Sequence, residues 1–344
     1  MTRYLIPRGI VSGPSAPRAV AAGLAVPLAG GPLAFATAEA IERAAAAEGV
    51  RRPLDLRAAR AFAPELFDAL MAARPAWAGF DLGRPLIMGV LNVTPDSFSD
   101  GGDFADAATA IAQGQALLEA GADIVDVGGE STRPGAAPVA PGEEAARVLP
   151  VVRALSGAGA CVSIDTRHAA VMDQAVAAGA RIINDVTALT GDAESPRVAA
   201  RSGAALVLMH MLGEPQTMQA DPRYADVTCD LIDYFAERLA ALATLGVDRA
   251  RIAIDPGIGF GKTVAHNVQL LDDLAAFQVF GCPVLLGASR KSFIGRLSKG
   301  EAPKQRLAGT LAAHQLGWDR GVQIVRVHDV AEAAQARAVW AAAG

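Results

Sequence analysis

Short apolar runs alternate with longer amphipathic stretches along most of this chain, from about Arg84 onward. Eight runs have the length of buried strands, and a stretch with helical periodicity follows each of them. Strict alternation of strands and helices requires a parallel sheet, because each helix carries the chain back to the start of the next strand. Eight units in roughly 260 residues predict an α/β fold, a closed (β/α)8 barrel of the TIM type. An open doubly wound sheet is the alternative, and the first loop lacks its GxGxxG sequence.

The eight predicted strands are apolar and end at polar residues. They are Leu86–Leu91, Asp123–Val127, Cys161–Ile164, Arg181–Asn184, Ala205–Met209, Arg251–Ile254, Val284–Gly287 and Gln323–Val327. The predicted helices lie between and after them: Asp106–Ala120, Pro141–Leu155, Arg167–Ala178, Ser195–Arg201, Val227–Leu245, His266–Phe277, Pro303–Leu316 and Val330–Ala342. The barrel is therefore expected to occupy residues 84–344.

Residues 1–83 differ in composition, being rich in Ala and Pro and poor in polar loop residues. We predict a small N-terminal α/β extension with a strand at Tyr4–Val11. Helices are predicted at Thr37–Glu48, which has a capping Thr, and at Asp55–Phe62 and Pro64–Ala73. No chemical motif is recognisable in this extension, so its role stays open, docking of a partner included.

Composition limits the classes of function. With 52% hydrophobic and 19% charged residues, the 344-residue chain has the make-up of a globular protein. A net charge of −5 without a dense Lys/Arg run argues against nucleic acid as a partner. The three cysteines are far apart, which argues against disulfides and zinc and favours the cytoplasm. The apolar segment Ala16–Ala38 raises the alternative of export, but prolines and glycines interrupt it, so neither a signal peptide nor a membrane span is favoured.

Polar residues follow every predicted barrel strand, and in a barrel these strand ends meet at one mouth. One Asp or Asn there is usually a turn former or helix cap, but eight coincident cases predict a site. In chain order the clusters are Asn92; Gly128–Gly135; Asp165–Arg167; Asn184–Asp185; His210–Met211; Asp255–Lys262; Ser289–Ser292; and Arg326–His328.

One half of this ring suits a flat heterocycle. Asp165, Asn184 and Asp255 supply acceptors and an amide, which match the donor edge of a guanidine-like ring. Lys291 adds a donor for a ring carbonyl or nitrogen.

The other half suits phosphate. Its cationic donors are Arg133, Arg290, Arg326 and His328. Asn92 is suited to give one oxygen to Mg²⁺ bridging a diphosphate, because Mg²⁺ takes few protein ligands. The ring therefore predicts a ligand in which a heterocycle carries a diphosphate leaving group.

Several of these residues also have a structural interpretation. Arg133 could be a solvated loop cation, and His210, between two methionines, is better interpreted as a hydrogen-bonded core histidine. His168 and His266 are expected to cap helices or lie at the surface, and His314 to pack. Lys262 ends a Gly-rich loop that lacks the spacing of a triphosphate-binding loop, which excludes that function.

Taken together, the motifs closely resemble those of the dihydropteroate synthase family. They cover roughly residues 85–330 in the family's order: LNVTPDSFSDGG from Leu91, GGESTRPGA from Gly128, SIDT from Ser163, INDV from Ile183, MHMLGEPQTMQ from Met209, DPGIGFGK from Asp255, SRKSFIG from Ser289 and RVHDV from Arg326. The extension is the part that the family pattern does not require.

The resemblance implies a transferase of folate biosynthesis that joins 6-hydroxymethyl-7,8-dihydropterin diphosphate to p-aminobenzoate. It implies pterin binding by Asp165, Asn184, Asp255 and Lys291, and diphosphate binding by Asn92, Arg133, Arg326 and His328, with Asn92 as the Mg²⁺ ligand. It implies a p-aminobenzoate site, where sulfonamides compete, at Thr132, Pro134, Phe260 and Ser292, with Lys291 beside it. Asp255, Lys291, Arg326 and His328 are the expected catalytic residues, and a homodimer is the expected assembly.

Chemistry favours departure of the diphosphate first, because an arylamine is a weak nucleophile. Arg326 and His328 would neutralise the leaving group, and the strand-end loops Thr94–Gly102 and Ser131–Pro138 would exclude water. Two rivals remain: a pterin-dependent methyltransferase barrel, which has no use for the SRKSF motif, and a catalytically silent pterin-binding protein, in which residues such as Arg326 would be lost.

Overall fold

A computed structural model describes residues 1–44, 47–93, 103–130, 138–213 and 217–343 of the chain. The chain opens with a four-stranded antiparallel sheet flanked by short helices. In chain order the elements are β1 (Thr2–Val11), α1 (Ser15–Ala21), β2 (Val26–Pro27), β3 (Ala34–Arg43), β4 (Val50–Asp55), α2 (Leu56–Phe62) and α3 (Pro64–Met71). Strand β3 is central, since it pairs with β1 on one side and with β2 and β4 on the other. We call residues 1–73 the appendage.

Eight parallel strands then form the barrel that the alternation predicted. They are β5 (Leu86–Asn92), β6 (Ile124–Gly128), β7 (Val162–Asp165), β8 (Ile182–Asp185), β9 (Ala205–Met209), β10 (Ile252–Asp255), β11 (Leu285–Leu286) and β12 (Ile324–Val327). Neighbours in sequence are neighbours in the sheet, with β12 between β5 and β11. A parallel bridge between Ile254 and Val284 joins β10 to β11 and closes the ring. The predicted (β/α)8 barrel with an N-terminal α/β extension is thus confirmed.

Helices follow the strands on the outside of the barrel. They are α4 (Asp103–Glu119), α5 (Pro141–Gly157), α6 (Ala169–Ala177), α7 (Ser195–Ser202), α8 (Val227–Thr244), α9 (Val264–Asp272), α10 (Ser292–Leu297), α11 (Leu307–Trp318) and α12 (Val330–Ala343). Short 3-10 helices lie at Arg249–Arg251, Leu274–Phe280 and Pro303–Gln305. None of the helices in the described ranges is long and apolar enough to cross a membrane.

The floor of the barrel is closed by the segment that precedes β5. Trp77 is fully buried among inward-facing strand residues such as Met88 and Ile324, and its Nε1 donates to the Arg251 carbonyl at 3.0 Å. Phe80 and Leu82 pack against the same cluster. Residues 77–82 therefore cover the end of the barrel opposite the mouth.

Arginines of the appendage attach it to the outside of the barrel. Arg43 of β3 pairs with Asp230 and Asp233 of α8, both at 2.6 Å. Arg51 of β4 pairs with Asp226, the residue that caps α8, at 3.0 Å. We call these contacts the appendage interface.

One predicted helix is wrong. Thr37–Glu48 was expected to be helical because a capping Thr is followed closely by a Glu, but its residues up to Arg43 belong to β3. Ala38, Ala40 and Ile41 are buried, and pairing with strands on both sides outweighs the local preference of the sequence. The apolar segment that raised the question of export is part of the same sheet and core, with Leu28 and Phe35 fully buried.

Smaller differences lie near the end of the chain. The predicted helix His266–Phe277 is divided into α9 and the 3-10 helix Leu274–Phe280. Helix α11 begins at Leu307, after the short 3-10 turn that starts at Pro303. Helix α10 was not predicted, because its six residues are too few to show a helical period.

Candidate active site

The strand register brings the predicted polar residues to one mouth. Asn92 ends β5 opposite Gly128 of β6, and Gly128 lies opposite Asp165, the last residue of β7. Asp165 in turn lies opposite Asn184 of β8. Adjacent parallel strands therefore present these side chains side by side, as the sequence predicted.

An arginine connects the two halves of the ring. Arg326 of β12 donates through Nε to Asp126 Oδ2 and through Nη2 to Asp165 Oδ2, both at 2.6 Å. Asn184 Nδ2 donates to the same Asp126 oxygen at 3.1 Å. Asp126 itself is completely buried within β6. One buried carboxylate thus orients both the guanidinium and the amide.

Burial changes the protonation of the acidic residues in this mouth. It raises the pKa of Asp165 to about 7, against the opposing effect of the Arg326 guanidinium. Burial also raises the pKa of Asp255 at the end of β10, although the Gly257 N–H donates to its Oδ1 at 2.7 Å. Clustered carboxyl groups with perturbed pKa values are typical of functional sites.

Lys291 and Phe260 meet beside these carboxylates. The Lys291 ammonium lies 3.8 Å from the centre of the Phe260 ring, a cation–π distance. Burial and the Arg326 charge lower the pKa of Lys291 to about 8. Ser292 directly follows Lys291 and begins α10.

A cavity of about 210 Å³ lies on the phosphate side of the ring. Asn92, Arg290 and His328 line it, together with Gln113 of α4. His328 Nδ1 lies 3.0 Å from the Ser289 hydroxyl, and its backbone N–H donates to the same oxygen at 3.2 Å. The imidazole is therefore fixed in orientation at the edge of the cavity.

The backbone and the guanidinium of Arg290 are both held by contacts within the protein. Its φ angle of 58° is in the left-handed region, and its backbone N–H donates to Thr310 Oγ1 at 3.0 Å. Its guanidinium binds Asp329 through both Nε and Nη2. Part of its charge is therefore neutralised before a ligand arrives.

Known proteins resemble the chain over the whole barrel. The family model described as "Pterin binding enzyme" matches residues 88–328. The dihydropteroate synthase of Escherichia coli K12 is 45% identical over 260 residues, which are 75% of this chain and 92% of that protein. The chain belongs to the dihydropteroate synthase family. It is a transferase of folate biosynthesis, as the motifs implied.

Solved structures of this family share the fold. The dihydropteroate synthase of Xanthomonas albilineans in complex with 7,8-dihydropteroate has a TM-score of 0.70 and 44% identity, and covers 76% of this chain and 95% of its own. The Yersinia pestis dihydropteroate synthase in a sulfonamide drug complex has a TM-score of 0.72 and 44% identity, with the same coverage. The matches account for nearly the full length of these relatives and leave about a quarter of this chain outside.

The structure places most of the residues expected to act in a dihydropteroate synthase. Each lies at the end of a barrel strand or in the segment that directly follows one, and those in the described ranges are Asn92, Asp165, Asn184, Asp255, Phe260, Lys291, Ser292, Arg326 and His328. Thr132, Arg133 and Pro134 lie outside the described residues, as do Thr94–Gly102 and most of Ser131–Pro138.

The remaining histidines have structural positions, and among them His168 differs from the expectation, since it precedes α6 without a capping bond from its side chain. His210 is buried and hydrogen-bonded, and its ring meets Tyr234 edge-on. His266 completes a capping box with Thr263. His314 is buried in α11, and His168 precedes α6 with its Nδ1 2.6 Å from a buried oxygen of Glu144.

Sequence reasoning missed Asp126 and gave Lys262 no role. Asp126 could have been found, because an aspartate inside the apolar run IVDVG must be buried, and a buried carboxylate needs partners. Glu130 was also missed. Its carboxylate oxygens both accept from Arg167, and one of them also accepts from the Val139 N–H at 3.1 Å. Glu130 directly precedes the Ser131–Pro134 motif, and Val139 follows it.

Proposed function

We propose that this protein joins 6-hydroxymethyl-7,8-dihydropterin diphosphate to p-aminobenzoate and releases 7,8-dihydropteroate and diphosphate. The observation that carries the assignment of sites is the ring at the barrel mouth, where Arg326 binds Asp126 and Asp165 and where Asn92, Arg290 and His328 line a cavity. The Xanthomonas relative binds this product, and the Yersinia relative binds a sulfonamide drug. We therefore also propose that sulfonamides inhibit this protein.

The pterin would bind at the acidic half of the ring. Asp255 and Asn184 are almost fully buried, so their hydrogen bonds to the pterin ring would form without competition from water. Asp165 and Lys291 would complete the pterin site. Burial raises the pKa of Asp165, so hydrogen bonds donated by a ligand would stabilise its charged form.

The diphosphate would occupy the cavity between Asn92 and His328. Arg326 uses Nε and Nη2 for its two carboxylate partners, and neither bond uses Nη1. Arg326 can therefore hold the pterin half and the leaving group at once. Arg133, from the segment outside the described residues, is our fourth candidate for this site.

The p-aminobenzoate would bind beside the Phe260 ring and Lys291, with Ser292 at its other end. Thr132 and Pro134, which lie outside the described residues, are our further candidates for this site. Glu130 and Val139, before and after them in the chain, are hydrogen-bonded to each other.

The reaction would begin when the C–O bond between the exocyclic methylene and the diphosphate breaks, with both electrons leaving on oxygen. The cation that remains is delocalised into the dihydropterin ring, where Asp255 and Asp165 stabilise it. The arylamine nitrogen of p-aminobenzoate then forms the C–N bond and loses one proton to the diphosphate. Arg326 and His328 neutralise the diphosphate as it departs. We propose Asp255, Lys291, Arg326 and His328 as the catalytic residues.

Magnesium fits this site in one way. Among the described residues no three His, Cys, Asp or Glu side chains are placed to hold a metal ion, and Asn92 offers one amide oxygen beside cationic neighbours. Such a donor set suits Mg²⁺ only where diphosphate oxygens and water supply the other ligands, which is the coordination this ion prefers. Neutralisation of charge on the diphosphate is the chemistry that bound Mg²⁺ supplies.

We further propose a homodimer that forms through the helices near the C-terminal end. An apolar groove of about 470 Å³ lies between α9, α10 and α11. Val268, Leu297 and Leu316 on its walls are exposed, and exposed apolar clusters of this kind favour association.

The protein would act in the cytoplasm, where its buried cysteines stay reduced. Residues 1–73 would form a separate unit, with 77–83 belonging to the barrel.

Asp255→Asn tests the site assignment. The amide keeps the size of the side chain but presents a donor where the pterin needs an acceptor, so we expect the KM for the pterin diphosphate to rise and kcat to fall, together about 100-fold in kcat/KM. The fold should be retained, as judged by the melting temperature. The matched control is Asp221→Asn, which changes an exposed aspartate between β9 and α8 and should behave as wild type. Unchanged kinetics for Asp255→Asn would contradict the proposal.

A further inference from the structure

Lys262 is a buried lysine to which none of the roles above is given. It ends the loop 257–262 after β10, and only 2% of its surface is exposed. Its Nζ donates to the carbonyl oxygens of Phe260 at 3.0 Å and His210 at 3.3 Å, and lies 3.1 Å from His210 Nδ1. These three acceptors are neutral, so none of them provides the carboxylate that usually stabilises a buried ammonium.

Burial sets the protonation of both side chains. It lowers the pKa of His210 to about 2, so the ring is neutral and Nδ1 can accept a hydrogen bond from Lys262. Burial also lowers the pKa of Lys262 to about 7, although Asp255 opposes that change. A charged amine is therefore costly in this position.

The loop that Lys262 closes lies directly on the backbone that follows β9. Gly257 has a φ of +68°, and a Cβ atom there would lie 2.0 Å from the His210 carbonyl oxygen. A Cβ at Gly261 would lie 2.7 Å from the carbonyl oxygen of Leu212. Because the two backbones are in contact, a donor shared between them fixes one against the other.

Phe260 is the side chain that this loop presents to the mouth. Its carbonyl accepts from Lys262, and its ring lies against Lys291. The contacts His210–Lys262–Phe260–Lys291 therefore join the ends of β9, β10 and β11. Movement of the Phe260 backbone would move the ring away from the Lys291 ammonium.

We propose that Lys262 is a positioning residue for the p-aminobenzoate subsite, which holds the Phe260 backbone so that the ring lies against Lys291. The inference rests on the proposed function, which places Phe260 and Lys291 beside p-aminobenzoate. Lys262 touches neither substrate in this scheme. Its removal should therefore affect binding of the second substrate and leave the pterin half of the site intact.

The test compares Lys262→Met with Lys299→Met, a control at an exposed lysine beyond α10. Steady-state rates of dihydropteroate formation are measured while each substrate is varied. For Lys262→Met we expect the KM for p-aminobenzoate to rise about tenfold, the effect of losing one charge-assisted hydrogen bond, with kcat and the KM for the pterin diphosphate within about twofold of wild type. Lys262→Arg, which retains donors, should recover part of the loss. A KM for p-aminobenzoate equal to that of the control overturns the inference.

A double-mutant cycle with Phe260→Leu separates positioning from a general loss of structure. If Lys262 acts through the aromatic ring, Lys262→Met should change the KM by less than about twofold when the ring is already absent. An equal tenfold change in both backgrounds overturns the inference. Should Lys262→Met fail to fold, the same cycle is run with Lys262→Gln, which removes the charge and has a side chain one atom shorter. A wild-type protein that forms no dihydropteroate overturns the proposed function and this inference with it, whereas an active wild type with an unaffected variant overturns the inference alone.

Discussion

Arginine–aspartate ion pairs with the same N···O distance occur in two regions that have different roles. At the barrel mouth Arg326 binds Asp126 and Asp165 at 2.6 Å, and at the appendage interface Arg43 binds Asp230 and Asp233 at the same distance. Distance alone does not distinguish the two regions. The difference lies in the other partners of the carboxylates.

The carboxylates at the mouth have too few hydrogen-bond donors around them. Asp126 Oδ1 is buried and has no hydrogen-bond partner among the described residues, and burial raises the pKa of Asp165. At the appendage interface Asp233 also accepts from the Tyr4 hydroxyl at 2.9 Å. Burial there is outweighed by hydrogen bonds from the Cys229 backbone and Arg51, which lower the pKa of Asp226. Carboxylates with unused hydrogen-bonding capacity therefore indicate the region that binds a ligand. Carboxylates whose oxygens all have partners indicate a structural contact.

The largest expected effect is that of Arg326→Lys. Lysine keeps the charge but cannot bind two carboxylates and a phosphate in one plane, so kcat/KM for the pterin diphosphate should fall by about 10³-fold. The melting temperature should change little by comparison. A kcat/KM within about tenfold of wild type would show that the mouth does not depend on this guanidinium, and the comparison of the two regions would fail.

A smaller effect, on stability alone, is expected at the appendage interface. Arg43→Met leaves two carboxylates without their partner, but both are partly exposed and can recover water, so the free energy of unfolding should fall by about 2 kcal/mol. Urea denaturation measures this change, and activity per folded molecule should stay at the wild-type level. Arg60→Met, which removes an exposed pair with Asp68, is the control and should cost at most about 0.5 kcal/mol. Loss of activity in folded Arg43→Met would assign the appendage a part in catalysis.

The third effect is a pH dependence of the free energy of unfolding, with opposite signs in the two regions. Because the folded pKa of Asp165 is raised to about 7, the folded state binds its proton more tightly than the unfolded state does, so the free energy of unfolding falls as the pH rises from about 4 to 7. Asp165→Asn should remove this decline. Asp226, with its lowered pKa, stabilises the fold above about pH 4 and loses that contribution as the pH falls further.

Urea denaturation of the unliganded protein at pH 5, 6 and 7 measures this difference. Over this pH range the free energy of unfolding of Asp226→Asn should differ from that of wild type by a constant amount. The difference between Asp165→Asn and wild type should depend on pH. A pH-independent difference for Asp165→Asn would contradict the raised pKa of that carboxyl.

The sequence predicted the barrel better than the appendage for a physical reason. Barrel strands such as Leu86–Asn92 are buried on both faces and appear as continuous apolar runs, so they can be recognised without their neighbours. Strand β3 is stabilised by pairing with β1 and β4, and its own residues favour a helix, so only the fold reveals it.

The site was predictable wherever a polar residue ends an apolar run. Asp165, Asn184 and Asp255 follow this rule. Lys262 does not show its role in sequence, because its function depends on two carbonyl groups, one of them fifty-two positions away. The Arg326–Asp126 pair likewise joins strands that are far apart in the chain. Contacts made through backbone oxygens or across the barrel are set by the fold and leave no local pattern.

Dihydropteroate and diphosphate measured in the same samples test the central claim most directly. Wild type, Arg43→Met and Asp255→Asn are supplied with dihydropterin diphosphate and Mg²⁺, with and without p-aminobenzoate. We predict equal amounts of the two products from wild type and from folded Arg43→Met when both substrates are present, and a large loss of both in Asp255→Asn. Binding of the pterin to wild type without formation of either product would contradict the account and identify a silent pterin-binding protein.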